Sequence, residues 1–156
     1  MTTFMNPFKK AHELIKKHPV KRLAWAATYD LDNDCRCATG MMAFESGVEG
    51  AFDERGSLTC LVEDRLAYVG HDVGEWAVAQ GFMPVDLAII EHINDRYSDY
   101  EMTEVARYAM VRRVLRALGE YDETQVDTLR TAYAARARDL RGQSELVNAI
   151  LKEVGA

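Results

Sequence analysis

Residues 84–118, PVDLAIIEHINDRYSDYEMTEVARYAMVRRVLRAL, constrain the fold more than any other stretch of this 156-residue chain. Leu87, Ile90 and Ile93 recur at helical spacing with Ile89 flanking them. The spacing predicts a helix that opens on Pro84, a residue tolerated in the first turn because its missing N–H would be unpaired there anyway. A polar elbow follows, Asn94-Asp95-Arg96-Tyr97-Ser98-Asp99-Tyr100. Ser98 and Glu101 then stand three apart, the spacing of a capping box, and predict a second helix over 99–118 that Gly119 ends. On that helix Ala106, Met110, Val114 and Leu118 make one ridge, which Val111 and Leu115 widen and Tyr108 borders. Met102, Val105 and Ala109 add apolar groups on the opposite side. A half-helix that is apolar all round is a buried one, so residues 102–111 are expected at the centre of the core.

The flanking sequence reads mostly as further short helices. Asn6 before Pro7 is an N-cap with proline at the first helical position, and Phe8, Ala11, Leu14, Ile15 and His18 follow at helical spacing until Pro19 stops the helix. Residues 24–37 predict a small β-hairpin, with arms at 24–29 and 34–37 around a turn of Asp and Asn residues that bond their own backbone. Asp30, Asp32 and Asp34 match the opening of a calcium loop, but Cys35 and Met41 stand where that loop needs Gly and Glu. A short helix is expected from Thr39 to near Gly47, a mostly helical stretch over 58–69, and another short helix at 76–79 capped by Gly81. Beyond Gly119, Asp122 starts a helix with Val126, Leu129, Tyr133, Ala137 and Leu140 on one face, and Gly142 is expected to end it. Ser144 would cap a last helix carrying Leu146, Val147, Ile150, Leu151 and Val154. The expected architecture is mostly α, a compact multi-helix domain with at most the small hairpin. It divides into a helical core domain at 1–121 and a C-terminal helical pair at 122–156, which either completes the core or joins two copies in a homodimer.

Charge separates along the chain. Residues 1–29 carry +5, residues 30–104 carry −13, residues 105–118 carry +4 and residues 119–156 carry −2, which together give the net charge of −6. The acidic middle would repel phosphates and argues against nucleic acid as a partner. Lys9, Lys10, Lys16 and Lys17 lie on the outer face of the first helix with Lys21 and Arg22 just beyond, a solvated face or a basic patch for an acidic partner or nucleic acid, with no aromatic residues interleaved for base stacking. No uncharged apolar run approaches the roughly 18–20 residues of a membrane span. The N-terminus lacks the apolar core of a secretory signal. Cys35, Cys37 and Cys60 are an odd number of thiols, so a reduced, cytoplasmic setting is expected, the host cytoplasm for a phage-encoded chain. With His71 they lack the paired spacing of a zinc site and read as small core residues.

Three groups of residues could carry function. Asn94, Asp95, Tyr97 and Tyr100 are the polar and aromatic part of the elbow that capping does not account for, and are the candidate surface for a protein partner. Arg112, Arg113 and Arg116 cluster on one side of the second central helix and could hold a small anion or nucleotide, or pair with the acidic middle. His92 and Asp95 share a helix face at i, i+3, where a carboxylate can orient a general base, but no nucleophile accompanies them.

The phrase 67–75, AYVGHDVGE, resembles the metal-binding His-Asp pair of HD-type phosphohydrolases at His71 and Asp72. That resemblance implies a divalent metal held by His71 and Asp72, with His92 and Asp95 as further candidate ligands, and cleavage of phosphoesters by activated water. The family's upstream histidine has no counterpart, because no His lies between residues 19 and 70, and Gly70 interrupts the helix that would present the pair. Two further segments resemble a small uncharacterised protein family of actinobacteria and their phages. Cys37-Ala38-Thr39-Gly40-Met41-Met42 matches its C-x-x-G-small-(L/M) step, and Ile93-Asn94-Asp95, with Glu104-Val105 beyond it, matches its (W/I)-N-D and E-V steps. Met41 replaces the usual Ala and Ile93 the commoner Trp. This family has no established activity, so the resemblance implies a shape and a bacterial or phage setting. The function expected from the sequence is a small, soluble, non-enzymatic interaction protein without a cofactor, acting through protein contacts that could modulate a host or defence factor. A metal-dependent phosphohydrolase and an anion or nucleotide binder are the alternatives.

Overall fold

The computed structural model describes residues 3–25, 35–46 and 77–156. Six helices are described from end to end: α1 (Pro7–Lys17), α2 (Ala38–Glu45), α3 (Pro84–Asn94), α4 (Glu104–Leu118), α5 (Glu123–Ala135) and α6 (Leu140–Glu153); residues 77–79 are helical as well. The fold is mostly α. Among the described residues there is no strand, and a single parallel bridge joins Leu23 to Arg36. The rest of the expected hairpin at 26–34, the stretch 58–69, Cys60, His71 and Asp72 lie outside the described residues. Among the described residues no helix is long and apolar enough to cross a membrane.

Helix α3 is the hub. It packs against each of the other five described helices. Eight of its eleven residues are buried, and Leu87, Ile89, Ile90 and Ile93 are fully enclosed. Each such side chain contributes roughly 1.5–3 kcal/mol of hydrophobic stabilisation. The expectation that 102–111 forms the centre of the core is therefore corrected. Val105 is 60% exposed, Ala106 and Ala109 are exposed, and Met102 is only partly covered. The buried face of α4 is instead Arg107, Tyr108, Met110, Val111, Val114, Leu115 and Leu118.

The reason lies in where α4 starts. The Ser98–Glu101 capping interaction does form, with Glu101 Oε2 accepting from Ser98 N at 2.9 Å and from Ser98 Oγ at 3.1 Å. It closes an isolated turn, in which Glu101 N and Met102 N both donate to Ser98 O. A second cap five residues later, Thr103, accepts from Ala106 N at 3.1 Å and opens the helix. This later start turns Arg107 and Tyr108 inward in place of Met102 and Val105.

Helix α1 matches its sequence reading from cap to stop. Asn6 Oδ1 accepts from Phe8 N and Lys9 N, while its Nδ2 donates to Leu118 O and Tyr121 O, each at 2.9 Å. One side chain thus starts α1 and satisfies carbonyls at the end of α4. At the other end, Leu23 N donates to Glu104 O and Arg22 pairs with Glu104 at 3.5 Å. The two helices therefore run antiparallel.

The C-terminal pair breaks at a different point from the expected one. Helix α5 ends at Ala135 and α6 begins at Leu140, so Leu140 is 77% exposed rather than part of the α5 face. Asp139 caps α6 by accepting from Gly142 N at 2.9 Å. Gly142 is a packing glycine and not a stop, since a Cβ there would lie 2.3 Å from Asp139 Oδ2. Val126, Leu129, Tyr133, Val147, Ile150 and Leu151 join the same apolar core as α1 to α4. Both helices lie against α3.

Candidate functional site

The antiparallel seam of α1 and α4 opens into a groove of about 430 Å³. Residues 105, 108, 109, 112, 113 and 116 of α4 recur at i, i+3/i+4 spacing and so share one face along it. His12 of α1 and Lys21, just beyond α1, complete the lining. Every polar side chain lining it is a cation, an imidazole or a phenol. The three arginines singled out from the sequence, Arg112, Arg113 and Arg116, are thus brought together, and with other basic groups rather than with acidic ones. Among the described residues neither Arg112 nor Arg116 has a carboxylate within ion-pair distance. Arg113 Nη1 donates to Gly155 O at 2.9 Å, which tethers it to the turn after α6.

Among the described residues two polar atoms of this groove are buried and lack a hydrogen-bond partner: the Tyr108 hydroxyl and His12 Nε2. Tyr108 is only 6% exposed. Leaving such a group unsatisfied costs about 1–3 kcal/mol, so an acceptor placed here would recover that energy. Cations flank the phenol ring, with Lys21 Nζ 5.6 Å and the Arg112 guanidinium 6.0 Å from its centroid. Lys21 is held at the end of α1, donating to Lys16 O at 2.7 Å and to O of the C-cap residue His18 at 2.5 Å. Burial lowers the pKa of His12, and the charges of Arg112, Lys16 and Arg116 lower it further against a smaller opposing effect of Glu13. Burial first, and then the neighbouring cations, thus disfavour the charged form of the imidazole, with Glu13 opposing them.

The arginines are legible in the sequence as a cluster, and Lys21 as a basic residue just beyond the first helix; the parts of His12 and the Tyr108 hydroxyl are not. The Tyr108–Arg112–Arg116 run at i, i+4, i+8 is a visible signal. His12 comes from another helix and depends on how the two helices pack.

A second polar cluster joins α2 to α3. Asn94 is 1% exposed. Its Oδ1 accepts from Ala38 N at 3.0 Å, and its Nδ2 donates to Ala24 O at 2.9 Å and Asp95 Oδ1 at 2.8 Å. Thr39 Oγ1 donates to Glu91 Oε1 at 2.5 Å, and the Cys37 thiol lies 3.5 Å from the same oxygen. The two segments Cys37–Met42 and Ile93–Asp95 therefore meet in space. Cys37 does not have the makings of a nucleophile. Burial first, then the Glu91 carboxylate, push its thiol well above the ordinary range, the opposite of thiolate activation.

The remaining candidates fall in different places. Arg107 donates from Nη1 to Asn94 O at 2.6 Å beneath the elbow and lies 3.5 Å from Asp99 Oδ1, a charge contact without a hydrogen bond. In the elbow itself Tyr97 packs on the core and Tyr100 is wholly exposed. His92 sets Nδ1 2.9 Å from the Tyr133 hydroxyl and Nε2 3.4 Å from Ser144 Oγ, so both ring nitrogens are engaged. Among the described residues no three His, Cys, Asp or Glu side chains are grouped to hold a metal ion. No protein family, curated protein or solved structure matches the chain.

Proposed function

We propose that the protein is a small binding protein whose ligand is an anion held in the α1–α4 groove. One observation carries the reading. The groove gathers His12, Lys21, Arg112, Arg113 and Arg116 around a buried Tyr108 hydroxyl, and among the described residues that hydroxyl has no hydrogen-bond partner and no carboxylate lines the groove. Like charges gathered without counter-charges repel one another, and an anion relieves that repulsion. Calorimetric titration at low ionic strength with inorganic phosphate, sulfate and nucleoside monophosphates tests the proposal. Saturable binding that weakens with salt is expected, together with a loss of at least about tenfold in the double variant Arg112→Gln, Arg116→Gln, corresponding to about 1.4 kcal/mol. Absence of saturable binding by all three ligands overturns it.

A second reading is contact with a protein partner through the elbow side. Tyr100 is fully exposed, Val105 is 60% exposed, and Trp25 is 41% exposed while donating to Asp95 O at 3.3 Å. Loss of partner capture in Tyr100→Ala with an unchanged melting temperature supports this reading, and unchanged capture removes it.

A further inference from the structure

Resting on the anion-binding reading, we propose that the groove takes a phosphomonoester dianion and that His12 gains a proton as the dianion enters. Three features of the groove lead there. Its volume of about 430 Å³ exceeds that of one oxyanion and falls in the range of small-molecule sites, roughly 300–1,000 Å³. Val105, Ala109 and the Tyr108 ring supply apolar wall beside the cationic end, so there is room for both a phosphate and an organic group attached to it. The donors also differ in kind. Arg112 and Arg116 present guanidinium forks one helical turn apart, Tyr108 offers a single hydroxyl and His12 a single ring nitrogen, a set that suits an oxyanion with several acceptor oxygens better than a planar carboxylate.

Protonation follows from the surroundings of His12. On its own helix the charges of Lys16 and Glu13 act on it, and from α4 those of Arg112 and Arg116, with Lys21, Arg113 and Tyr108 lining the same groove. With the groove empty, the cations and burial favour the neutral ring. A dianion reverses the sign of the local field and offers an acceptor to Nε2, both of which favour the imidazolium. The proton comes from solvent, and the site closes with His12 as a cationic donor.

The experiment is titration calorimetry on the full chain near neutral pH, with AMP, glycerol phosphate and sulfate as probes, in two buffers of different ionisation enthalpy. Sulfate carries no titrating proton in this range and so isolates the protein's own uptake. The expected result is net proton uptake on binding in the wild type, for sulfate as well as for the phosphomonoesters, and uptake close to zero in His12→Gln. Tyr108→Phe should weaken binding severalfold while uptake persists. Saturable binding with no buffer dependence overturns this inference and leaves the anion-binding reading standing. No binding of any probe overturns both. Equal affinity for sulfate and both phosphomonoesters overturns the assignment of the organic group, and tighter binding of an oligonucleotide than of AMP overturns the ligand class.

Discussion

The guanidinium of Arg130 grips the carboxylate of Asp86 through two parallel hydrogen bonds, Nε to Oδ1 at 2.7 Å and Nη2 to Oδ2 at 2.9 Å. Asp86 is fully buried, and its Oδ2 also accepts from Met83 N at 2.8 Å. One carboxylate thereby satisfies the start of α3 and ties that helix to α5. Removing one partner of a buried pair leaves an uncompensated charge, which costs about 3–5 kcal/mol. Arg130→Ala is expected near the top of that range because Asp86 has no solvent to turn to. Asp86→Ala should cost less, since Arg130 keeps some exposure and lies 3.4 Å from Asp127. Urea unfolding of both single variants and the double variant checks this: the double variant should be less destabilised than the two singles added together, and strict additivity would mean the pair is not coupled.

Asn94 and Tyr100 both belong to the polar elbow that reads, from the sequence, as one recognition surface, yet they should respond oppositely to substitution. Asn94→Ala removes the acceptor for Ala38 N and the donor to Ala24 O, leaving backbone groups unsatisfied in the interior. Each such orphan costs about 1–3 kcal/mol, so a total loss of about 2–5 kcal/mol is expected. Tyr100→Ala removes a side chain in full contact with solvent and should stay within about 0.5 kcal/mol. Denaturant midpoints for the two variants decide it. A neutral Asn94→Ala would restore Asn94 as a surface residue.

How much of this is legible in the sequence follows the range of the interactions involved. Asn6–Pro7, Pro84 and Asp122 mark helix starts correctly because capping is a matter of three or four neighbouring residues. The elbow defeats the same reasoning because it holds two competing caps, Ser98 and Thr103, and the helix that opens at Thr103 carries a contact no local pattern encodes, Arg107 donating to Asn94 O at the end of α3. The break between α5 and α6 is hidden for a similar reason. Gly142 looks like a stop, whereas the space it leaves is filled by the Asp139 cap. For the candidate site, the arginines stand on one helix and are visible as a cluster. His12 and Lys21 reach them only through the antiparallel packing of α1 on α4, which no local pattern encodes.

Asn6 offers a test of capping with tertiary consequences. Asp and Asn are about equally good N-caps, and Asp has the added benefit of the helix dipole. Here the amide nitrogen donates to Leu118 O and Tyr121 O. Asn6→Asp keeps the cap on α1 but replaces those two donors with an oxygen facing two carbonyl oxygens. Instead of neutrality, a loss of about 2–3 kcal/mol is expected at neutral pH. Thermal unfolding measures it, and a melting temperature equal to that of the wild type would show that the bonds to the end of α4 contribute nothing.

Glu91 gives the fold a pH dependence of unusual sign. Burial raises its pKa from the ordinary 4.5 to about 7, opposed by the hydrogen bond from Thr39 and reinforced by the nearby Asp95 charge. Between these two values the unfolded chain has already released the proton that the folded chain retains. The contribution of Glu91 to stability is therefore fully present below about pH 4.5, falls as the pH rises towards 7, and stays low above it. The loss is at most about 3 kcal/mol, and less to the extent that solvent reaches the carboxyl. Glu91→Gln keeps an acceptor for the Thr39 hydroxyl and cannot ionise. The difference in stability between this variant and the wild type should be small in acid and should grow in the variant's favour between about pH 5 and 7, reaching a plateau beyond. Subtracting the two profiles cancels the other acidic groups. A difference that does not change over that window would mean that Glu91 is ionised in the folded protein at all these pH values, and that the Thr39 hydroxyl and local solvent are enough to hold its charge beside α2.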